Sequence, residues 1–507
     1  MKYFLSILAT ILFLSFPFTG RCTDTPMSDG TQDCLGCHEY SHPGIVQNWQ
    51  KSSHAQTTVK DAMGVGAMSR KVSTKEISDT LSSQNVGCAE CHTLNAESHN
   101  DTFEHNGYDV HVVVTPQDCA TCHPVEAEEF SHNLMSNARN NLAGNAVYRQ
   151  LQVSILGTPV YSESQKSFSQ QAANEETQAE ACYYCHGTRL EVTGFETRDT
   201  ITGELTFPTI KGWPNQGVGR HNPDGSKGAC SACHPRHGFS IETARKPYTC
   251  GECHTGPDVP AYKVYSTSKH GNIYSSKSDE YDFKAVPWTV GEDFSSPTCA
   301  VCHISMLTNT EGEVVVRRTH RMNDRLSWRL FGVPYAHPHS ASPDLTDILN
   351  KDGLQLAAAF DGTEASDFLI KPAVQAQREE TLQAVCLSCH SSSWVEGHWQ
   401  RFENSIQTTN AATRNATKLM TEIWNSGLAT GLDQGGNPFD EAIEKKWCGL
   451  WLFYANTIRF SSAMGGGGDY SVFADGAYQF SESLREMEDW YLLRRQSAID
   501  SGARGSY

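Results

Sequence analysis

The chain has 507 residues, 38% of them hydrophobic, with 58 Asp and Glu against 40 Lys and Arg and a formal net charge of −18. That acidity argues against nucleic acid as a partner and suits a small cationic or neutral one. The apolar share is low for this length, so something besides side chains is expected to fill part of the core.

Met1 and Lys2 open the chain with one positive charge, and Tyr3 to Phe18 then run almost wholly apolar before the small residues Thr19 and Gly20. This run falls short of the roughly 20 residues of a membrane span and reads as a secretory signal over residues 1–22. Arg21 argues against lipid attachment at Cys22. No other long apolar run follows, and the C-terminus RRQSAIDSGARGSY is polar. The expectation is a periplasmic or equivalently exported protein with no stable membrane span. An uncleaved anchor is the alternative.

Sixteen of the 18 cysteines fall in one repeated pentapeptide. The pairs, each with the histidine that follows, are Cys34/Cys37/His38, Cys88/Cys91/His92, Cys119/Cys122/His123, Cys182/Cys185/His186, Cys230/Cys233/His234, Cys250/Cys253/His254, Cys299/Cys302/His303 and Cys386/Cys389/His390. C-x-x-C-H is the attachment signature of c-type haem. Two thiols three positions apart reach the two vinyl groups on one porphyrin edge, and the next residue turns its imidazole onto the iron. A zinc site would pair two C-x-x-C units without a histidine after each. A thioredoxin-like motif would occur once, and a disulfide scaffold gives no reason for eight identical motifs. The sequence is that of an octahaem c-type cytochrome, whose porphyrins supply the missing core and whose propionates add further negative charge. Twenty residues separate Cys230 from Cys250, so those two haems are expected in close contact. Cys22 and Cys448 stand outside the motifs.

Each iron takes a second axial ligand, and 13 histidines remain: His42, His54, His99, His105, His111, His132, His221, His237, His270, His320, His337, His339 and His398. Counting therefore leaves every iron the option of two imidazoles. His54, His132 and His270 share short Ser-containing contexts, and His237 follows its motif by three residues. His111, His320 and His398 are candidates by position alone. For any lone histidine a surface or hydrogen-bonded role competes. An iron with two histidines moves electrons, whereas one with a vacant position binds substrate.

Residues 212–271 read GWPNQGVGRHNPDGSKGACSACHPRHGFSIETARKPYTCGECHTGPDVPAYKVYSTSKHG. With its NPDGS, RHxFS, ARxP, CHxGPD and SKHG elements, this stretch resembles the hydroxylamine oxidoreductase family of octahaem cytochromes, which includes hydrazine dehydrogenases. The resemblance implies that the fourth haem, on Cys182, Cys185 and His186, is catalytic and five-coordinate. It implies an Asp-His pair after CHxGP that handles protons. Asp258 matches the aspartate, but Val259 stands where the histidine belongs. Apart from the resemblance, Asp258 reads as a turn residue after Gly256-Pro257. The oxidative members are trimers in which a C-terminal tyrosine joins the catalytic porphyrin of a neighbouring subunit. Tyr470 is the best match here, with Tyr478 and Tyr454 as alternatives and an ordinary buried or interface tyrosine as the plain reading.

The remaining chain carries little chemistry. Residues 23–310 hold seven motifs in loop-rich sequence, and 311–507 hold the eighth motif and an oligomerisation region. Helices are expected over 373–386, 399–426, 439–463 and 470–495, with a break at Gly465–Gly468. The expected fold is mainly α: a multihaem cytochrome c with a loop-rich, haem-packed N-terminal part and long C-terminal helices. The expected function is multi-electron conversion of a small nitrogen compound, hydroxylamine to nitric oxide or nitrite, or hydrazine, with electrons passed to a redox partner cytochrome. A reductive member acting on nitrite or hydroxylamine, and a non-catalytic electron conduit, are the alternatives.

Overall fold

The structure is a computed structural model that describes residues 25–200, 203–432 and 435–504. The apolar leader and Cys22 lie outside the described residues. The fold is mainly α, with long helices confined to the C-terminal third. The haem motifs sit in short helical turns: Cys88–His92, Cys182–His186 and Cys299–His303 are each one five-residue helix. Elsewhere the same turn closes when the histidine N–H donates to the first cysteine's carbonyl, as His123 to Cys119, His234 to Cys230, His254 to Cys250 and His390 to Cys386. One such turn places residues i, i+3 and i+4 on a common face. The repeated pentapeptide thus presents two thiols and an imidazole to the same side.

Strands are few and paired locally. The longest hairpin pairs Glu191–Thr200 with Gly203–Lys211, and a second pairs Thr158–Ser162 with Ser167–Gln171. A third turns at Asn106 and Gly107, both left-handed (φ 53° and 84°), between Phe103–His105 and Tyr108–Val110. An Asn-Gly pair in that conformation is the strongest short hairpin signal.

The C-terminal helices run over Pro372–Leu387, Ser392–Asn425, Ala442–Gly449 continuing through a wider turn at Leu450–Tyr454 into Ala455–Ala463, and Ala477–Arg504. The second begins seven residues before the expected 399, because Ser391 caps it by accepting from the Trp394 N–H. Its buried residues Val395, Trp399, Phe402, Ile406, Thr409, Thr413, Ala416, Met420 and Ile423 recur at alternating steps of four and three. That spacing makes a continuous seam for a neighbouring helix. The break before the last helix falls where expected, with Gly465, Gly466 and Gly468 all left-handed. The largest core cluster joins these helices around Trp424, Phe439, Trp447 and Trp451, with Trp447 centred 5.4 Å from Trp424 and 5.6 Å from Trp451. No helix among the described residues is long and apolar enough to cross a membrane.

Candidate functional site: a histidine-lined interior around the fourth motif

The interior of the motif-bearing part is built from imidazoles that burial keeps uncharged. His54, His234, His237, His303 and His320 are each pushed down to about 4, and His337 to about 3. A neutral imidazole is the form that ligates a metal. Several motif rings are oriented from behind by carbonyls: His92 Nδ1 lies 2.8 Å from His111 O, and His186 Nδ1 lies 3.2 Å from Ala138 O. Donation through Nδ1 leaves Nε2 free to face an iron.

Ring spacing tests whether haem fits. Metal–nitrogen bonds of about 2 Å on both sides of one iron put the two ring centres roughly 6 Å apart. His38 and His105 stand 6.2 Å apart, His123 and His54 6.3 Å, and His390 and His270 6.2 Å. His54 and His105 each have a buried Nδ1 without a partner. Charge supplies a second test. Buried guanidinium nitrogens of Arg139, Arg321, Arg378, Arg414 and Arg459 lack partners, as do indole nitrogens of Trp288, Trp328 and Trp399. Such orphaned donors are costly unless an acceptor from outside the chain completes them, and haem propionates are acceptors of that kind. The residues fit the group.

Thiols of different motifs meet in the interior: Cys34 with Cys88, Cys119 with Cys230, Cys185 with Cys253, and Cys250 with Cys299. None of the described cysteines is in a disulfide. Cys233 and Cys250 are near enough to interact, as the short gap between their motifs led us to expect. Neighbouring attachment points place neighbouring porphyrin edges, so the motifs form one connected series.

The fourth motif is marked by a nearby carboxylate. His186, like His234, His254 and His303, makes no ring contact with another histidine among the described residues, and the ionised group acting on it is Asp258. Asp258 also acts on Cys182, Cys185 and His254, which places its carboxylate beside both the fourth and the sixth motifs. Asp258 and Val259 are half-buried. The Asp258 carbonyl accepts from Asn456 Nδ2 at 3.0 Å. Asn456 Oδ1 in turn accepts from Arg459 Nη1 at 3.0 Å and from the Gly332 N–H at 3.1 Å. After His186 the chain turns at Gly187 (φ 88°), where a Cβ would strike the backbone of Arg220. Glycine is required there to let two loops touch.

Not every expected residue falls at such a position. Cys37, the second thiol of the first motif, is exposed, whereas Cys34 of the same motif is half-buried against Cys88. The reason is the placement of its helix, Asp29–Ser41, which buries Thr31 and leaves Gly36, Cys37, Glu39 and Tyr40 on an outer face. Cys37 is therefore assigned to haem attachment by its spacing from Cys34 and His38, and not by burial. Cys253 and Cys389, the second thiols of the sixth and eighth motifs, are exposed as well.

Three histidines have partners of other kinds. His132 lies on the surface and pairs with Glu128 at 2.9 Å. Both ring nitrogens of His111 face carbonyl oxygens, those of Val113 and Leu94, and the ring stacks on His99 at 3.7 Å. Burial opposes charge on His99, but hydrogen bonds to Asp101 and Asp118 raise it to about 9. His398 stacks on Trp394, which itself stacks on His390, so it sits beyond the motif ring rather than across from it. His111 also stands 6.0 Å from the motif His92, the spacing of two rings on one iron, whereas His132 and His398 have no motif histidine ring across from them among the described residues. His237 and His320 lie near His92 and His234 respectively. His105 was missed, although the Asn-Gly turn beside it marks the hairpin that aims it. Tyr470 Oη donates to Asp475 of its own chain at 2.9 Å, and Thr457 reaches the same carboxylate.

Fold and site together define a multihaem c-type cytochrome. A family profile described as "Seven times multi-haem cytochrome CxxCH" matches residues 219–329, and one described as "Cytochrome c554 and c-prime" matches residues 33–111. A solved structure described as a hypothetical multiheme protein is similar at a TM-score of 0.85 and 38% identity, over 94% of this chain and 97% of that one. This chain belongs to the same family of multihaem cytochromes. A reducing HAO-like protein complex of Kuenenia stuttgartiensis shares the fold at a TM-score of 0.59 and 19% identity, over 94% of this chain and 87% of that one. A Kuenenia stuttgartiensis protein described as a "Probable nitrite reductase-hydroxylamine oxidoreductase fusion protein" is 26% identical over 296 residues, 54% of this chain. The chain spans about a quarter of that relative, since the match covers 26% of it.

Proposed function

We propose that the chain carries eight c-type haems and is an oxidoreductase that converts a small nitrogen compound by several electrons at the fourth. The observation that carries this reading is the pairing of His186 with Asp258. A carboxylate stands near this motif histidine, whereas His38, His123 and His390 have an imidazole across from them. Haem iron with one histidine supplies an open coordination position and electrons to a bound nitrogen. The chain's own residues do the rest. Ala138 fixes the His186 ring through Nδ1, and Asp258 accepts or delivers protons. Val259 adds no second proton carrier beside it. His105, His237, His54, His320 and His270 would hold the first, second, third, fifth and eighth irons opposite their motif histidines.

The direction we favour is reduction, of nitrite or hydroxylamine toward ammonia. Val259 replaces the histidine implied by the oxidative relatives, and the Tyr470 hydroxyl is already taken by Asp475. The reading further includes export to a periplasmic compartment, a small redox partner cytochrome, and a homotrimer. Exposed Leu492, Leu493 and Ile499 on the last helix offer apolar contact for the trimer. Electron paramagnetic resonance of the oxidised protein tests the core of the proposal. A single high-spin haem among low-spin ones is expected. Its absence would leave a bis-histidine electron conduit.

A further inference from the structure

Arg459 is fully buried among neutral partners. Nη1 donates to Asn456 Oδ1 at 3.0 Å, Nη2 to Asn410 Oδ1 at 2.7 Å, and Nε has no partner. Among the described residues no carboxylate forms an ion pair with it. Arg329 and Arg378 add more positive charge nearby: the buried, neutral His337 lies beside Arg459 and Arg329, and the buried, neutral His339 beside Arg329 and Arg378. In a chain of net charge −18 this interior is cationic. A desolvated guanidinium with only amide oxygens around it calls for an anion that the chain does not supply.

Its position says where that anion belongs. Asn456 touches both ends of the arrangement, holding Arg459 through Oδ1 and the Asp258 carbonyl through Nδ2. The same asparagine also anchors Gly332, and Asn410 pins Ala336 through both its backbone groups. The guanidinium is therefore fixed two hydrogen bonds from Asp258, on the helix packed against the loop that carries it. We propose that Arg459 is the specificity-determining residue of this pocket, selecting a small nitrogen oxyanion of the nitrite class over neutral hydroxylamine or hydrazine. The inference rests on the reading of the fourth motif as the open one.

A guanidinium fork suits any carboxylate-shaped oxygen pair, so a haem propionate is the competing source of the anion. Optical titration of the haem-loaded protein with sodium nitrite and with hydroxylamine separates the two. Arg459→Gln removes the charge. Asn410→Asp keeps the guanidinium and the volume but places a carboxylate against Nη2, so it remains informative if the first variant does not fold. Each is expected to weaken nitrite binding on the order of tenfold, the effect of one unit charge roughly 12 Å away at an effective dielectric constant of about 20. Hydroxylamine binding is expected to stay within about twofold, because a neutral ligand feels the charge weakly. Equal losses for both ligands, or none, overturn the proposal. Unchanged nitrite binding with a displaced haem midpoint potential assigns Arg459 to a propionate instead. If neither ligand alters the spectrum of the unmodified protein, the open fourth iron fails as well, and this inference with it.

Discussion

On the proposed reading, Asp258 works without the imidazole that the hydroxylamine oxidoreductase resemblance implies next to it. Its carbonyl is held by Asn456, so the loop is fixed while the carboxylate stays half-buried. Asp258→Asn keeps shape and removes the proton acceptor. It is expected to slow turnover by about 10²-fold or more, in line with the loss of a general acid–base group, with haem content unchanged by pyridine haemochrome. Turnover equal to that of the parent would return Asp258 to a turn residue. His105 offers an independent check, because it stands 6.2 Å from His38 with Nδ1 unpartnered. His105→Ala is expected to convert the first haem from low to high spin, read as a second high-spin resonance with the iron content preserved. An unaltered spectrum would show that another group, such as the adjacent His42, ligates that iron.

Among the helices, the one starting at Ala442 is held by a buried acid. Glu444 accepts from the Trp424 indole at 2.8 Å and from the N–H groups of Asp440 and Glu441 at 3.1 and 2.9 Å. Burial nevertheless dominates and pushes it from its ordinary 4.5 up to about 7. The folded chain then binds more protons at this site than the unfolded one between those two values. Its contribution is fully present below pH 4.5 and is lost as pH rises through 7, by about 3 kcal/mol for a shift of this size. Glu444→Gln is expected to flatten that part of the curve when chemical unfolding is followed across pH 4–8. A slope identical to the parent's would mean that Glu444 is ionised throughout. Trp424, Trp447 and Trp451 surround this acid, so the same cluster that fixes the helices also isolates it from water.

For the whole molecule, the net charge of −18 and the added propionates predict attraction to a cationic redox partner. Association should be fast at low salt and fall at least tenfold as the screening length shrinks from about 30 Å at 0.01 M to a few ångströms near 1 M. Stopped-flow rates against a basic cytochrome c, measured over that range, check this. A flat profile would point to a neutral contact face.

The repeated pentapeptide made the haem chemistry legible before any fold was known, because attachment is a local event within one helical turn. The C-terminal helices were legible for a similar reason, since their apolar residues recur at steps of three and four, and the glycine break could be read from Gly465 to Gly468. The start of the helix at Ser392 was misplaced because its cap is a serine among serines. The hairpins at residues 158–171 and 191–211 escaped notice, being exposed and without a strong alternating pattern. The setting of each motif was hidden too, for the second thiol of the same repeated pattern is exposed at Cys37, Cys253 and Cys389 but half-buried at Cys91, Cys122, Cys185, Cys233 and Cys302. Partnership between distant histidines was not legible at all. His105 faces His38 and His54 faces His123, while His132 turns to the surface, and only the packing of the loops decides which. The sequence by itself determined what each motif binds, since the ligands lie within five residues of one another. The tertiary structure alone decided which imidazole stands across from which, and that Asp258 and Arg459 share one asparagine, because such contacts join residues that the chain separates by tens or hundreds of positions.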